Sequence, residues 1–174
     1  MEIKPKSVFR RGAEDGTWFG IYLSVLFILS AVSIKISILG LLAFIMALAV
    51  PIYAYIILRK GFIQNGCFYT FFEVWTHGIV LFACGSLIMA LTMVIYLNWV
   101  NPSFIVEQSK AIVSLYNDLG GDWKTMAQVV EQAINQGLLP TPISMASDII
   151  SLGIFSGSML TLILTPFIRR NPTK

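Results

Sequence analysis

The sequence predicts an all-α membrane protein with four transmembrane helices and an extracytoplasmic amphipathic helical hairpin between spans three and four. Three observations carry that expectation. Hydrophobic residues make up 56% of the 174 residues and charged residues only 12%, against roughly 25% charged in a soluble domain, which is too little charge to cover a water-facing surface. The apolar residues gather in four stretches, each reaching the ~20 residues needed to cross a bilayer. Lysine and arginine cluster beside those stretches in alternation, and Trp and Tyr sit near their ends, where amphipathic rings favour the membrane interface.

The first span covers about residues 17–34, behind a basic start of Lys4, Lys6, Arg10 and Arg11. A cleaved signal peptide would account for that start. The apolar run, however, is longer than an h-region of ~7–15 residues, and a second span follows at once, so a retained span is expected. The second span, residues 36–58, carries no charge. Only Lys35, between Ser33 and Ser37, separates the two. As one helix the pair would run ~60 Å, about twice the hydrocarbon thickness, so the chain must turn back at residues 33–37. Pro51 falls inside span two and predicts a kink, which membrane helices tolerate when neighbours satisfy the freed carbonyl.

Span three covers residues 74–99 and is uncharged from Gly78 onward. Span four, residues 143–168, is interrupted only by Asp148. Between them, residues 101–142 predict two short helices. Phe104, Ile105, Ile112, Leu115 and Tyr116 recur at helical spacing until Gly120-Gly121. Asp122 is then a candidate N-cap for a helix carrying Trp123, Met126, Val129, Val130, Ala133 and Ile134. Gly137 reads as its stop, and Pro140 and Pro142 block continuation. Each helix has one apolar face, and the pair is too small for a core of its own. Lying on the membrane surface or capping the bundle is the preferred reading; a docking surface for a partner is the other. The whole chain, 1–174, is expected to form one four-helix transmembrane domain.

Nine basic residues flank the N-terminus, the end of span two and the C-terminus, against three (Lys35, Lys110, Lys124) on the other side. The positive-inside rule then places both termini in the cytoplasm of a bacterial inner membrane. The net charge of +3 is not a nucleic-acid footprint, because the basic residues flank spans instead of forming a stripe. Cys67 and Cys84 would stand ~25 Å apart along a helix, too far for a disulfide, and no CxxC pattern exists.

Ionisable groups at membrane depth are the first places to look for function. Glu73 and His77 are four residues apart and share a helix face at the inner end of span three. Asp148 lies at the outer end of span four, across most of the bilayer from Glu73. That separation argues against a carboxylate pair, which needs ~5–10 Å, and nothing titratable lies between them to relay protons. Structural pairing of Glu73 with Arg169 or Arg170, and of Asp148 with Lys35, is the preferred reading. One His and one carboxylate make half a zinc site, so no metal and no cofactor is expected. Small residues supply packing signals: Gly153 and Gly157 form a GxxxG, Gly78 and Gly85 repeat on span three, and Gly12, Gly16 and Gly20 repeat at the mouth of span one. Ser144, Ser151, Ser158 and Thr165 form a period-seven stripe on span four. No phosphate loop, catalytic triad or zinc pattern is present, and no internal repeat points to an inverted-repeat transporter.

The layout resembles the domain of unknown function 4199 family of Bacteroidota. The residues that carry the resemblance are the basic N-terminus leading into a Gly-containing span and Arg59-Lys60 with Asn65-Gly66 before span three. Ile95-Tyr96 to Asn98, followed by Asn101-Pro102-Ser103-Phe104, also match, as does a helical insert leading into a small-residue span that ends in Arg-Arg. The resemblance implies a four-span inner-membrane protein without an assigned activity. It also implies a membrane neighbour, a polyprenyl-phosphate glycosyltransferase, although no charged pocket for a sugar phosphate is visible at the midplane.

The expectation is a non-enzymatic partner or scaffold subunit of a membrane complex. It would contact membrane lipids and either a partner protein or further copies of itself, through the glycine and serine stripes and the outer helices. The alternative is a small transporter or lipid-linked-sugar flippase acting as an oligomer, with a water-accessible path through Glu73, His77 or Asp148. An intramembrane enzyme is disfavoured because no reactive cluster exists.

Overall fold

A computed structural model of the chain describes residues 7–33, 36–64, 67 and 69–169, and over these it is helical without a strand. The long helices are α1 (Val8–Val32), α2 (Ser37–Gln64), α3 (Phe71–Ile95, continued by a π-helical turn at Tyr96–Val100) and α6 (Pro142–Ile168); α4 (Phe104–Leu119) and α5 (Trp123–Asn135) are shorter. Four helices are long and apolar enough to cross a membrane: Val8–Val32, Ile38–Gln64, Phe71–Val100 and Pro142–Ile168. In lipid every backbone polar group needs an internal partner, and a continuous helix supplies it. The helices outrun the apolar stretches at one end. The first begins at Val8 and not near residue 17, so Arg10, Arg11, Glu14 and Asp15 are helical; the second runs unbroken through Pro51 to Gln64.

The described residues form two compact units, one holding those up to Thr92 and from Ser147 onward, the other Met93–Ala146. In the first unit, side-chain contacts bring together the start of α1, the end of α2, the start of α3 and the end of α6. Arg11 donates to the Gly61 carbonyl at 3.1 Å and to the Gln64 side chain. Arg59 donates to the Ile168 carbonyl, placing a cation on the negative end of α6. Leu58, Phe62, Tyr69, Val74 and Ile168 pack as one buried cluster at this end. A second cluster, Phe19, Ala54, Leu81 and Phe82, lies further along the helices. Successive long helices therefore alternate in direction.

Glycines set how closely they approach. A Cβ at Gly12, Gly16 or Gly20 of α1 would sit 2.7–2.8 Å from Val80, Cys84 or Ile88 of α3. At Gly85 it would meet Phe19 at 2.7 Å. On the other side of α3, a Cβ at Gly78 would sit 2.1 Å from Thr161. At Gly153 it would sit 2.7 Å from Ser86, and at Gly157 2.1 Å from Phe82. Real side chains do not approach so closely, so α3 is held between α1 and α6 by positions where only glycine fits. Thr161 and Thr165, both fully buried on α6, send their hydroxyls to the carbonyls of Gly157 and Thr161, each at 2.7 Å. That hydrogen bond satisfies the hydroxyl inside its own helix.

The serine stripe departs from the expected packing face. Thr165 is buried and Ser158 half-buried, but Ser151 and Ser144 are exposed. The residues of α6 that meet α3 are Gly153, Gly157 and Thr161, a row stepping by four that winds round the helix in the opposite sense to a row stepping by seven, so the two rows lie close at the Thr165 end and have parted by Ser151.

In the second unit, α4 and α5 pack on each other, joined through Gly120 and Gly121, both at positive φ. The π-helical turn buries Leu97, and Tyr96 meets Phe104 edge-on at 5.8 Å. Asp122 occupies the N-cap position of α5, but its side chain makes no capping hydrogen bond and its backbone is already helical. The residue that stops α5 is Gly137, at φ +66°. Its N–H bonds the Ile134 carbonyl and that of Leu138 bonds Ala133, the paired pattern of a Schellman end.

Candidate functional site

The start of α3 carries two of the candidate polar residues, and the structure turns them in different directions. Glu73 reaches back to Thr70: its Oε2 accepts from the Thr70 N–H at 2.7 Å and from the Thr70 hydroxyl at 2.8 Å. The Thr70 hydroxyl in turn accepts from the Glu73 N–H at 3.3 Å. This is a capping box, two orphan donors at a helix start satisfied reciprocally. The expected pairing of Glu73 with Arg169 does not form; Arg169 is exposed, and Arg170 lies outside the described residues. The local sequence Thr-Phe-Phe-Glu is what a capping box requires, so a local hydrogen bond takes the carboxylate before a distant arginine can.

His77 turns inward. It is 1% exposed, and its Nε2 lies 3.0 Å from Oδ2 of Asp15 on α1. An ionised carboxylate only accepts, so the ring N–H donates. Asp15 keeps 32% of its side chain exposed and so links the buried ring to the surface. The imidazole packs on Gly61 of α2, where a Cβ would sit 2.7 Å from Cε1. Tyr69 meets it edge-on with ring centroids 6.5 Å apart. Arg11, one turn before Asp15 on α1, holds the Gly61 carbonyl. Three helices thus meet at His77: α1 brings Asp15 and Arg11, α2 brings Gly61, and α3 brings the ring. Tyr69 adds a buried hydroxyl without a hydrogen-bond partner among the described residues, a group that costs ~1–3 kcal/mol when left so.

The remaining candidates are not part of this cluster. Asp148 is exposed and stands twenty residues back along α6 from Ile168, about 30 Å at helical rise. Lys35 and its expected pairing with Asp148 lie outside the described residues. Gly78, Gly85, Gly153 and Gly157 lie in the contacts of α3 described above, and Ser158 lends its carbonyl to the Trp75 indole N–H at 3.2 Å. Cys67 and Cys84 are free thiols. Among the described residues no three His, Cys, Asp or Glu side chains gather as metal ligands.

Asp15 is not among the residues that the sequence singles out, and Arg11 stands there only as part of the basic start, because the uncharged run of span one begins at residue 17. The signal that locates Asp15 was present: it adjoins Gly16 and lies three residues after Gly12, on the margin of the glycine face that α1 turns to α3.

Four long apolar helices, tied at one end by a buried polar cluster and packed through glycine, define a small multi-pass helical membrane protein. The chain belongs to the family described as a protein of unknown function (DUF4199), which matches residues 14–170. No curated protein and no solved structure matches it.

Proposed function

We propose that this chain is a non-enzymatic partner subunit of a membrane complex, docking through α4 and α5. It would sit in the inner membrane of a Bacteroidota cell with both termini cytoplasmic, as the bias of basic residues suggests. The observation that carries this reading is the uncovered apolar face of α4 and α5. Leu115, Leu119, Trp123, Met126 and Val129 are each at least half exposed, with Ile112 close behind. They lie outside the four apolar helices, where water would otherwise meet them, and exposed apolar patches of this kind mark interaction surfaces. Gly78, Gly85, Gly153 and Gly157 are taken up by contacts within the bundle and so do not compete with α4 and α5 as the surface for a partner. The family resemblance suggests the class of that partner, a polyprenyl-phosphate glycosyltransferase.

Co-purification of the full chain in mild detergent tests the reading. A partner at fixed stoichiometry, lost when Trp123, Met126 and Val129 are all replaced by Ser while the bundle stays folded, is the expected result. A partner retained by that variant, or a variant whose only defect is release of α4 and α5 from vesicles, would assign the face to the lipid surface. The alternative, a small transporter or lipid-linked-sugar flippase acting as an oligomer, draws on the Asp15–His77 pair, in which a buried ring meets a partly exposed carboxylate. Flux in proteoliposomes that Asp15→Asn abolishes, with assembly intact, would replace the subunit reading.

A further inference from the structure

We infer that the outward face of α2 binds a phospholipid with an anionic phosphate headgroup, its phosphate between Arg59 and Lys60 and one acyl chain along α2. The hollow at that end of α2 has a volume of about 320 Å³ and is lined by Tyr55, Ile56, Arg59, Lys60, Ile63 and Gln64. It combines two cations with an apolar floor, which is the chemistry of a lipid headgroup at a membrane boundary. Among the described residues no carboxylate pairs with either cation; Glu14 pairs with Arg10 and Asp15 bonds His77.

Arg59 is held in place. One of its N–H groups is bound to the Ile168 carbonyl and its guanidinium lies 5.8 Å over the Phe62 ring. The remaining donors are therefore presented without the usual loss of side-chain freedom on binding, and a guanidinium matches a phosphate's paired oxygens. Lys60 beside it is exposed and adds a point charge.

From this hollow an apolar track runs the length of α2. Ile56, Ile52, Leu48, Ile45, Leu41 and Ile38 recur every three or four residues, and all are exposed at more than half their surface. They form one stripe ~27 Å long at helical rise, close to the hydrocarbon thickness. A soluble anion would use the cations and leave the track unused; a zwitterionic lipid would use the track and gain less from two unpaired cations. A phosphate-bearing anionic lipid uses both, and basic residues immediately beside a membrane span attract anionic headgroups.

Native mass spectrometry of the full chain tests this. The protein would be released from nanodiscs containing equal amounts of phosphatidylglycerol and phosphatidylcholine. Retention of one phosphatidylglycerol, at least tenfold over phosphatidylcholine, is expected for the parent chain. Loss of that preference is expected in Arg59→Gln and in Lys60→Gln. Because Arg59 also caps α6, Lys60→Gln is the variant that leaves the bundle's own contacts untouched, and Lys110→Gln is the control that keeps the preference. Equal retention of the two lipids, or an unchanged preference in Lys60→Gln, would overturn the inference. Displacement of the lipid by millimolar glycerol phosphate would also overturn it, by showing that the cations recognise a free anion without the chain.

Discussion

At Gly78 a single hydrogen decides whether two helices can meet. The Cβ of an alanine there would lie 2.1 Å from Thr161, and Thr161 is fully buried with its hydroxyl committed to the Gly157 carbonyl, so it has nowhere to withdraw. Overpacking of this kind costs about 1–3 kcal/mol. Gly78→Ala should therefore lower the midpoint of unfolding in detergent. Gly40→Ala should not, since its nearest neighbour, Ser33 Cβ, would be 3.5 Å away. Circular dichroism melts of the two variants side by side check this, and equal midpoints would remove Gly78 from the packing account. His77 shows a related economy of space, because its ring occupies the volume that the missing side chain of Gly61 leaves open.

At the scale of the element, α3 illustrates how a membrane helix starts. Its first turn lies at the bundle end where Thr70 and Glu73 satisfy each other's backbone donors, so two of the donors that a helix start leaves open are closed from within the chain. Loss of an N-cap hydroxyl costs about 0.5–2 kcal/mol. Thr70→Ala should destabilise the chain by that amount and speed amide exchange in the first turn of α3, while leaving exchange of α4 and α5 unchanged. Thr70→Ser, which keeps the hydroxyl, should restore protection. Exchange read by mass spectrometry separates these outcomes, and an unprotected first turn in Thr70→Ser would show that the hydroxyl is not what holds it. In α5 the same question of orphan groups is answered at the other end, by Gly137 and the Schellman pair, with Asp122 left out. A sequence places a capping residue at the right position more easily than it says whether the side chain will turn back to use it.

For the whole molecule, the alternation of the four long helices has a consequence for topology. Lys60 lies at the bundle end shared by the start of α1 and the end of α6. Lys110 follows α3, which runs away from that end. If all four helices cross the bilayer, these two positions open to opposite sides. With Cys67 and Cys84 replaced by Ser, thiols at Lys60→Cys and Lys110→Cys should react with a membrane-impermeant maleimide from opposite sides of the membrane, and under the orientation proposed above Lys60→Cys is the one labelled from the cytoplasmic side. Labelling of both from the same side of intact cells would require one of the four helices not to span.

Much of this protein follows from composition and spacing alone. Apolar runs of membrane length, and the turn signals between them, suffice for four long helices and two short ones, because in lipid the helix is the one local structure that satisfies its own backbone. The glycine spacings likewise mark where helices come close, since four-residue repeats of small side chains stay on one face. Which helix each face meets is another matter. That Gly78 answers to Thr161 and Gly12 to Val80, that the serine stripe rotates away from α3, and that Glu73 folds back onto Thr70 all depend on the packing of several helices at once. The buried site depends on it most. Asp15, Gly61 and His77 stand on three different helices and share no motif; they meet because the start of α1, the end of α2 and the start of α3 lie at one level and Gly61 leaves room for the ring. Periodicity within a helix is a local property, whereas the depth at which two helices align is set by all the contacts between them.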